Sequence, residues 1–539
     1  MNLQNNAHQE PKHKGHLARY RQIAMVLAKY KLEKVLNYVG MQNYRLIGWM
    51  FRGNPWRKMN YSEPERMRMA IEDLGTSFVK LGQILSTRTD LLPPAYTTEL
   101  AKLQSSMKPM PIDQMKKVIS DELGRPTDEV FISFENPIGI ASIGQVYSCG
   151  QVNACTLADG TEVVTKVQKP GVPEQIEEDM EILSRAAVMA TKHWKGAQQY
   201  DLVGIVREVS ETIKNETDYI QEGHNAEYFA QFFQEDPTVH IPKIFWESTT
   251  TRVLTMERIH GIGILDVQSL DKAGFDRKEL AKRAVSLWLK MIFEGEAFHA
   301  DPHPGNLFVE SDGRLGLVDF GMVYTVDDEV RWRLATAVKS ILDRNVDTLI
   351  DALIELGAVK LRREESRDSL RRDLKSIMGR LPKTSLHKSS ESVSSTLEQL
   401  LYVLRSNQIQ LPSNTFMLLK TIIMAQGLGR GLDPDFDILP MLESSVRGLV
   451  EKRYSIKAAL RRFPSVGAEL VSLVGGLPQR LDRMMKTAER GEIQLRVDAS
   501  GIEQHIHHLE RLVNRVVIVI IIASVVLGLA LFFGLRAIH

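Results

Sequence analysis

Cysteine is almost missing from this 539-residue chain, which has only Cys149 and Cys155. Six positions apart and without clustered His or Cys, they supply neither a disulfide framework nor a metal set, and both read as reduced core thiols. An excess of one charge is missing too. Sixty-eight Lys and Arg face sixty-seven Asp and Glu, a net of +1, so no overall field draws the chain onto nucleic acid and no nucleic-acid partner is expected. The N-terminal region lacks a long apolar run: its longest, Ile23 to Ala28, is bounded by Gln22 and Lys29 and is too short for a signal-peptide core. No repeat recurs at a solenoid period. With 43% apolar and 25% charged residues, large-scale disorder is excluded, and the length allows two or more domains.

The opposite end carries what the N-terminus lacks. Residues 516–535 (VVIVIIIASVVLGLALFFGL) run 20 residues without a charge. As a helix they would span about 30 Å, the thickness of a hydrocarbon core, which predicts a C-terminal transmembrane helix. Arg511 and Arg515 precede the span, behind basic helices over 441–510 that include Lys452, Arg453, Arg461, Arg462, Arg480 and Arg483, whereas only Arg536 and His539 follow it. The positive-inside bias then keeps residues 1–515 cytoplasmic, on a single-pass tail anchor.

Along the chain, residues 1–60 include a basic helical pattern over 15–38, suited either to a lipid surface or to packing on the domain. A helical extension over 61–128 opens with Ser62 and Glu65 at capping-box spacing, and one helix is expected to continue from there through Leu85. From Glu129 the pattern turns to short β-rich runs, 130–134, 145–152 and 161–167, with Asp159-Gly160 as a hairpin turn between the last two. A long helical stretch over 172–234 follows, then strand candidates at 240–246 and 252–256. Residues 258–440 read as a helical lobe interrupted by a hairpin over 307–318 that turns at Asp312-Gly313. The fold class is therefore α+β, a bilobal layout like that of protein kinases: an N-lobe at 129–257 with a helical insertion, then the C-lobe.

That layout says where each catalytic part belongs. Lys166 ends Val163-Val164-Thr165-Lys166 on the third strand, where a kinase lysine contacts the α- and β-phosphates of ATP. In His299-Ala300-Asp301-Pro302-His303-Pro304-Gly305-Asn306, Asp301 and Asn306 stand at catalytic-loop spacing, Asp301 as base or water-orienting group and Asn306 as a magnesium ligand. Asp319-Phe320-Gly321 supplies the second metal ligand, Asp319. A carboxylate, an amide oxygen and phosphates form the hard donor set that Mg2+ requires. Glu257, where the strands give way to the helical lobe, is taken as a further nucleotide contact.

Together these residues make the chain resemble the UbiB/AarF family of atypical kinase-like proteins, associated with isoprenoid quinone biosynthesis, over roughly residues 60 to 440. Lys80-Leu81-Gly82-Gln83 look like its KxGQ motif, on a helix ahead of the kinase-like lobe. Glu216-Thr217-Asp218 resemble its ExD motif, and Glu222 sits where the partner of Lys166 would be. The resemblance implies that the KxGQ helix covers the site, with Lys80 meeting Glu216 or Asp218. On one continuous helix Glu216 and Asp218 face about 200° apart, so both enter the site only if the helix bends or begins between them. Pro137 to Val146 resembles the family's alanine-rich replacement for the kinase glycine loop, in which Ala141, Ser142 and Gly144 would approach the phosphates; Gly139 and Ile140 depart from the usual alanines.

Ala300 stands where kinases carry the arginine that reads activation-loop phosphorylation, no Ala-Pro-Glu follows, and a helical pattern restarts near Asp328. A long peptide-docking segment is therefore absent from the pattern. The expectation is a membrane-bound Mg-ATPase or small-molecule kinase with ATP and Mg2+ as cofactors, acting at a cell (inner) membrane. Membrane lipid, isoprenoid quinone precursors and other quinone-biosynthesis proteins are its implied partners. A protein kinase and a nucleotide-gated lipid-binding scaffold are the rival readings. Truncation after Arg511 is expected to release the protein from membranes at high salt, read by sedimentation; integral behaviour of the truncated chain would refute the tail anchor.

Overall fold

The computed structural model describes residues 12–32, 61–88, 92–103, 110–140, 144–151, 162–193, 201–356, 364–380 and 411–454, with a few positions between 399 and 407. The chain divides into two units, Met1–Lys452 and Arg453–His539, and the second lies almost wholly outside the described residues. The apolar span 516–535, Cys155, the 159–160 turn, Ala141 and Ser142 fall outside them too. Among the described residues no helix is long and apolar enough to cross a membrane.

The chain opens with helix α1 (Lys12–Lys29), followed by α2 (Glu63–Leu74), α3 (Thr76–Thr87) and α4 (Pro94–Leu100). The capping box forms at α2: the Ser62 N–H donates to Glu65 Oε2 at 2.7 Å, and the Glu65 N–H to Ser62 Oγ at 3.5 Å. The single helix expected from Ser62 through Leu85 is two helices. Gly75 separates them at φ +94°, a conformation that a side chain would strain. Ile23, Ala24 and Leu27 of α1 are buried with Ile71, Leu74, Phe78 and Leu100, so the described part of the basic N-terminal helix packs on the domain.

The N-lobe sheet is antiparallel, with β1 (Phe131–Ile140), β2 (Gly144–Gln151), β3 (Glu162–Gln168) and β5 (Val253–Glu257) side by side in that order. Period-2 alternation buries Val163, Thr165 and Val167 of β3 and turns Lys166 to the other face. Helix α5 (Ile112–Leu123) covers the buried face with Met115, Val118 and Ile119. The stretch from Pro137, expected as loop, is still strand: Pro137, Gly139 and Ile140 pair with Tyr147, Val146 and Gln145. The register slips on both sides of Pro137, the residue that has no N–H for the ladder.

The 172–234 stretch resolves into α6 (Val172–His193), α7 (Leu202–Glu216) and α8 (Tyr219–Phe232). Asp218 breaks the last two apart by accepting the Ile220 N–H at 3.0 Å and so capping α8. Of the strand candidate at 240–246, β4 is confined to Val239–His240, and 246–248 is a short 3-10 turn. After the short strand β6 (Ile262–Gly263), the C-lobe centres on α9 (Arg277–Glu294), whose Trp288, Met291 and Ile292 are fully buried. After it come β7 (Ala297–His299), the hairpin β8 (Leu307–Val309) and β9 (Leu315–Leu317) turning at Gly313 (φ +85°), and β10 (Val323–Thr325) paired to β7. Helices α10 (Asp328–Leu342), α11 (Val346–Glu355) and α12 (Ser413–Leu432) close the lobe.

One long-range ion pair fixes the N-terminal extension. Arg19 on α1 donates to both carboxylate oxygens of Asp179 on α6, at 2.7 and 2.8 Å, and to the Leu74 carbonyl at the end of α2, at 2.8 Å. Arg19 and Asp179 are both buried. Breaking such a pair strands a charge, so Asp179→Ala is expected to lower stability by about 3–5 kcal/mol in a denaturant titration. A loss within the range of surface substitutions, about 0.5 kcal/mol, would contradict this role.

Candidate functional site

Side chains from six elements converge where the two lobes meet. The Lys166 ammonium on β3 lies 2.6 Å from Glu222 Oε1 on α8 and 3.2 Å from Asp319 Oδ2. Glu222 is buried in the first turn of α8, and its Oε1 also accepts the Phe320 N–H at 3.3 Å, so one carboxylate aligns the lysine and the Asp-Phe-Gly turn. The Gly321 N–H donates to Asp319 Oδ1 at 3.0 Å. The Asn306 amide donates to Asp301 Oδ2 at 3.2 Å, which orients the Asp301 carboxylate and leaves the Asn306 amide oxygen out of that bond.

Lys80 on α3 completes the cluster, 2.5 Å from Glu216 Oε2 at the end of α7. Of the two acidic residues offered to Lys80, the structure brings Glu216. Asp218 spends its carboxylate on the α8 cap. The helix break at Thr217 and Asp218 thus gives the two acids separate tasks. Glu257 is not drawn to the cluster either: its carboxylate lies 3.4 Å from His240 Nε2 and accepts the Lys243 N–H at 3.2 Å. The hydrogen bond with Glu257, joined by one from Glu310, keeps His240 above the ordinary histidine range.

The electrostatics divide these groups. Burial opposes charge on Lys166, but Asp319 and Glu222 outweigh it and hold the ammonium above the lysine range. Burial likewise opposes charge on Asp319, yet Lys166 and the Gly321 N–H keep its carboxyl well below the carboxylate range. Burial pushes Glu222 and Glu216 up, against the pull of Lys166 and Lys80. On Lys80 burial is outweighed by Glu216, with Asp319 and Asp301 adding to it. Neighbouring carboxyls are thus pushed in opposite directions, the arrangement that separates acid from base roles where a site carries chemistry. Asp319 keeps a strong negative charge for a cation, and the amide oxygen of Asn306 is a second hard donor; with phosphate oxygens and water they fit Mg2+.

Two participants escaped the sequence reading. His299, fully buried, accepts the Asp301 N–H at Nδ1 (3.1 Å) and donates from Nε2 to the Asp319 carbonyl, coupling the catalytic loop to the Asp-Phe-Gly turn. Lys420 on α12 feels Asp301, Lys80 and Glu216, and burial pulls its ammonium below the lysine range. The signal for Lys420 was a lone charge in the otherwise uncharged run from Thr415 to Gln426.

A family model described as the ABC1 atypical kinase-like domain matches residues 102–353, and one for the UbiB helical domain matches 387–437. A Marinobacter nauticus protein named "Probable protein kinase UbiB" is 33% identical over 463 residues, covering 83% of this chain and 82% of its own. The chain belongs to the UbiB family. A Xylella fastidiosa UbiB protein of the same printed name is 29% identical and covers 96% of this chain and 94% of its own. A solved complex of a Mycobacterium tuberculosis protein with erythromycin is similar at 22% identity and TM-score 0.42, covering 68% of this chain and 94% of that one. The ABC1 match makes the bilobal architecture of this UbiB chain kinase-like, and the helical-domain match includes α12 with Lys420.

In this UbiB chain the remaining KxGQ residues hold α3 in place. A Cβ at Gly82 would run into Leu103 and Ile71, and the Gln83 amide donates to the Leu103 carbonyl at 2.9 Å. Gly144, the described member of the phosphate-loop set, is equally constrained: a Cβ there would collide with the Tyr219 hydroxyl and the Val167 carbonyl. If Lys80 and Glu216 act as one buried unit, their effects on stability are non-additive. Lys80→Ala, Glu216→Gln and the double variant are expected to couple by about 0.5–3 kcal/mol in thermal unfolding. Additivity would mean the pair is not formed in solution.

Proposed function

We propose that this UbiB protein binds Mg-ATP between its lobes and moves the terminal phosphoryl group to a small or lipid acceptor, or to water, in support of isoprenoid quinone synthesis. The observation that carries this reading is the Lys80–Glu216 pair at 2.5 Å, which sets a helix from outside the kinase-like lobe against the catalytic carboxylates. Lys166, aligned by Glu222, holds the α- and β-phosphate oxygens. Asn306 and Asp319 hold Mg2+, which when bound neutralises phosphate charge. Asp301, steered by the Asn306 amide, accepts the proton of the attacking hydroxyl or water as its oxygen bonds to phosphorus and the β–γ bridging oxygen departs with ADP.

The size of the acceptor follows from what surrounds the site. Beyond Gly321 the chain enters β10 almost at once and α10 begins at Asp328, leaving no long segment to dock a peptide. With α3 on the other side, a small nucleophile fits better than a folded protein. The uncharged C-terminal span supports placing this chemistry at a cell (inner) membrane, with membrane lipid, quinone precursors and other quinone-biosynthesis proteins as partners. Both quinone synthesis and ATP as the nucleotide rest on family membership.

The test is ATP binding and turnover by the full-length protein, with and without liposomes, against Asp319→Asn. Magnesium-dependent binding or turnover is expected to vanish in Asp319→Asn and to weaken in Asn306→Ala, because an amide cannot replace the lost carboxylate charge. An unchanged magnesium dependence in Asp319→Asn would overturn the metal assignment.

A further inference from the structure

Phosphoryl transfer spreads negative charge over the oxygens of the moving group, and a site that promotes it places cations around them. Three lysines lie near the carboxylates, and two of them are already paired. Lys166 contacts Glu222 and Asp319, and Lys80 contacts Glu216. The loop that carries Asp301 adds no further cation of this kind: between Asp301 and Asn306 it has Pro302, His303, Pro304 and Gly305. His303 is exposed, and its Nδ1 accepts the Gly305 N–H at 3.1 Å, so its ring serves the turn.

The third lysine differs. On α12, Phe416 lies under the Arg88 guanidinium at the end of the KxGQ helix, 4.8 Å from ring centroid to carbon. Lys420 is one turn further along the same face. It comes within electrostatic reach of Asp301, Lys80 and Glu216, while its neighbours Leu419 and Thr421 are buried. Among the described residues its ammonium makes no hydrogen bond or ion pair. A half-buried ammonium without a partner is costly in isolation and favourable once an anion meets it. Among the described residues Glu216 Oε1 is likewise buried without a hydrogen bond, on the carboxylate whose other oxygen meets Lys80.

We propose that Lys420, contributed by the UbiB helical domain, binds the terminal phosphoryl group of the nucleotide on the Asp301 side, opposite Lys166. The assignment rests on the nucleotide reading above. It makes the helical domain part of the catalytic site, and it makes ATP and ADP distinguishable, because ADP has no group at that position. During transfer the Lys420 ammonium stays protonated and balances charge on the non-bridging oxygens, while the nucleophile's proton goes to Asp301.

The experiment compares MgATP and MgADP affinities of the full-length protein, wild type against Lys420→Gln and Lys420→Arg, by calorimetry. Lys420→Gln is expected to weaken MgATP by about tenfold, the worth of one charge-assisted hydrogen bond, and to leave MgADP unchanged. Lys420→Arg, which keeps the charge, retains the wild-type ratio of the two affinities. Because the substitution removes an unpaired charge, Lys420→Gln is expected to unfold at or above the wild-type temperature. Equal changes for both nucleotides, or none for either, would overturn the role of Lys420 while leaving the Mg-nucleotide site standing. Failure of the wild type to bind either nucleotide would overturn the site itself.

Discussion

The arrangement depends on balancing charge in a place with little water. Four carboxylates, Glu216, Glu222, Asp301 and Asp319, meet three ammoniums, Lys80, Lys166 and Lys420: Lys80 pairs with Glu216, Lys166 with Glu222 and Asp319, and the Asn306 amide donates to Asp301. Each lysine comes from a different part of the chain: the N-terminal extension, the third strand of the sheet, and the helical domain. Pairing charges across elements in this way costs desolvation, and the return is a fixed geometry more than stability. The lobes and the extension are therefore registered against one another through the site they form.

The KxGQ helix shows how packing serves that electrostatics. Gly75 turns the chain at positive φ so that α3 leaves α2 at an angle, and Gly82 lets Leu103 and Ile71 approach its backbone. Gln83 then secures the contact through the Leu103 carbonyl. These are backbone and packing tasks, yet together they fix the position from which Lys80 reaches Glu216. The motif is thus mostly support around one charged tip.

What the sequence disclosed was what is local. The five-residue spacing from Asp301 to Asn306, the Asp-Phe-Gly turn, the capping box at Ser62 and the Asp312-Gly313 hairpin each carry their physical reason within a few residues, and each lies in the structure where the pattern put it. The partner of Lys80 was narrowed to two acids but not chosen. The choice falls to the cap at Asp218, which uses one carboxylate and turns the chain between the two. The break at Gly75 was overlooked because helical periodicity continues across it. Glu257 was assigned from its place in the strand order, and its side chain follows a histidine that sits beside it only in the folded chain. Lys420 and the Arg19–Asp179 pair join positions too distant for any pattern to link.

The Arg19–Asp179 pair also bears on how the protein comes to be folded. Its members are 160 residues apart, and Lys166 and Asp319 are 153 apart. Closing a loop of that length costs little more in entropy than closing one half as long, but such contacts cannot nucleate structure and tend to form late. As the chain leaves the ribosome, α1 emerges long before the helix that will hold its arginine, and Lys166 waits for the Asp-Phe-Gly turn. The nascent N-terminal half must therefore persist with charged groups unpaired, although α2 to α4 can already cover the apolar face of α1. That interval, rather than the finished fold, is where this chain is most open to aggregation and to capture by chaperones.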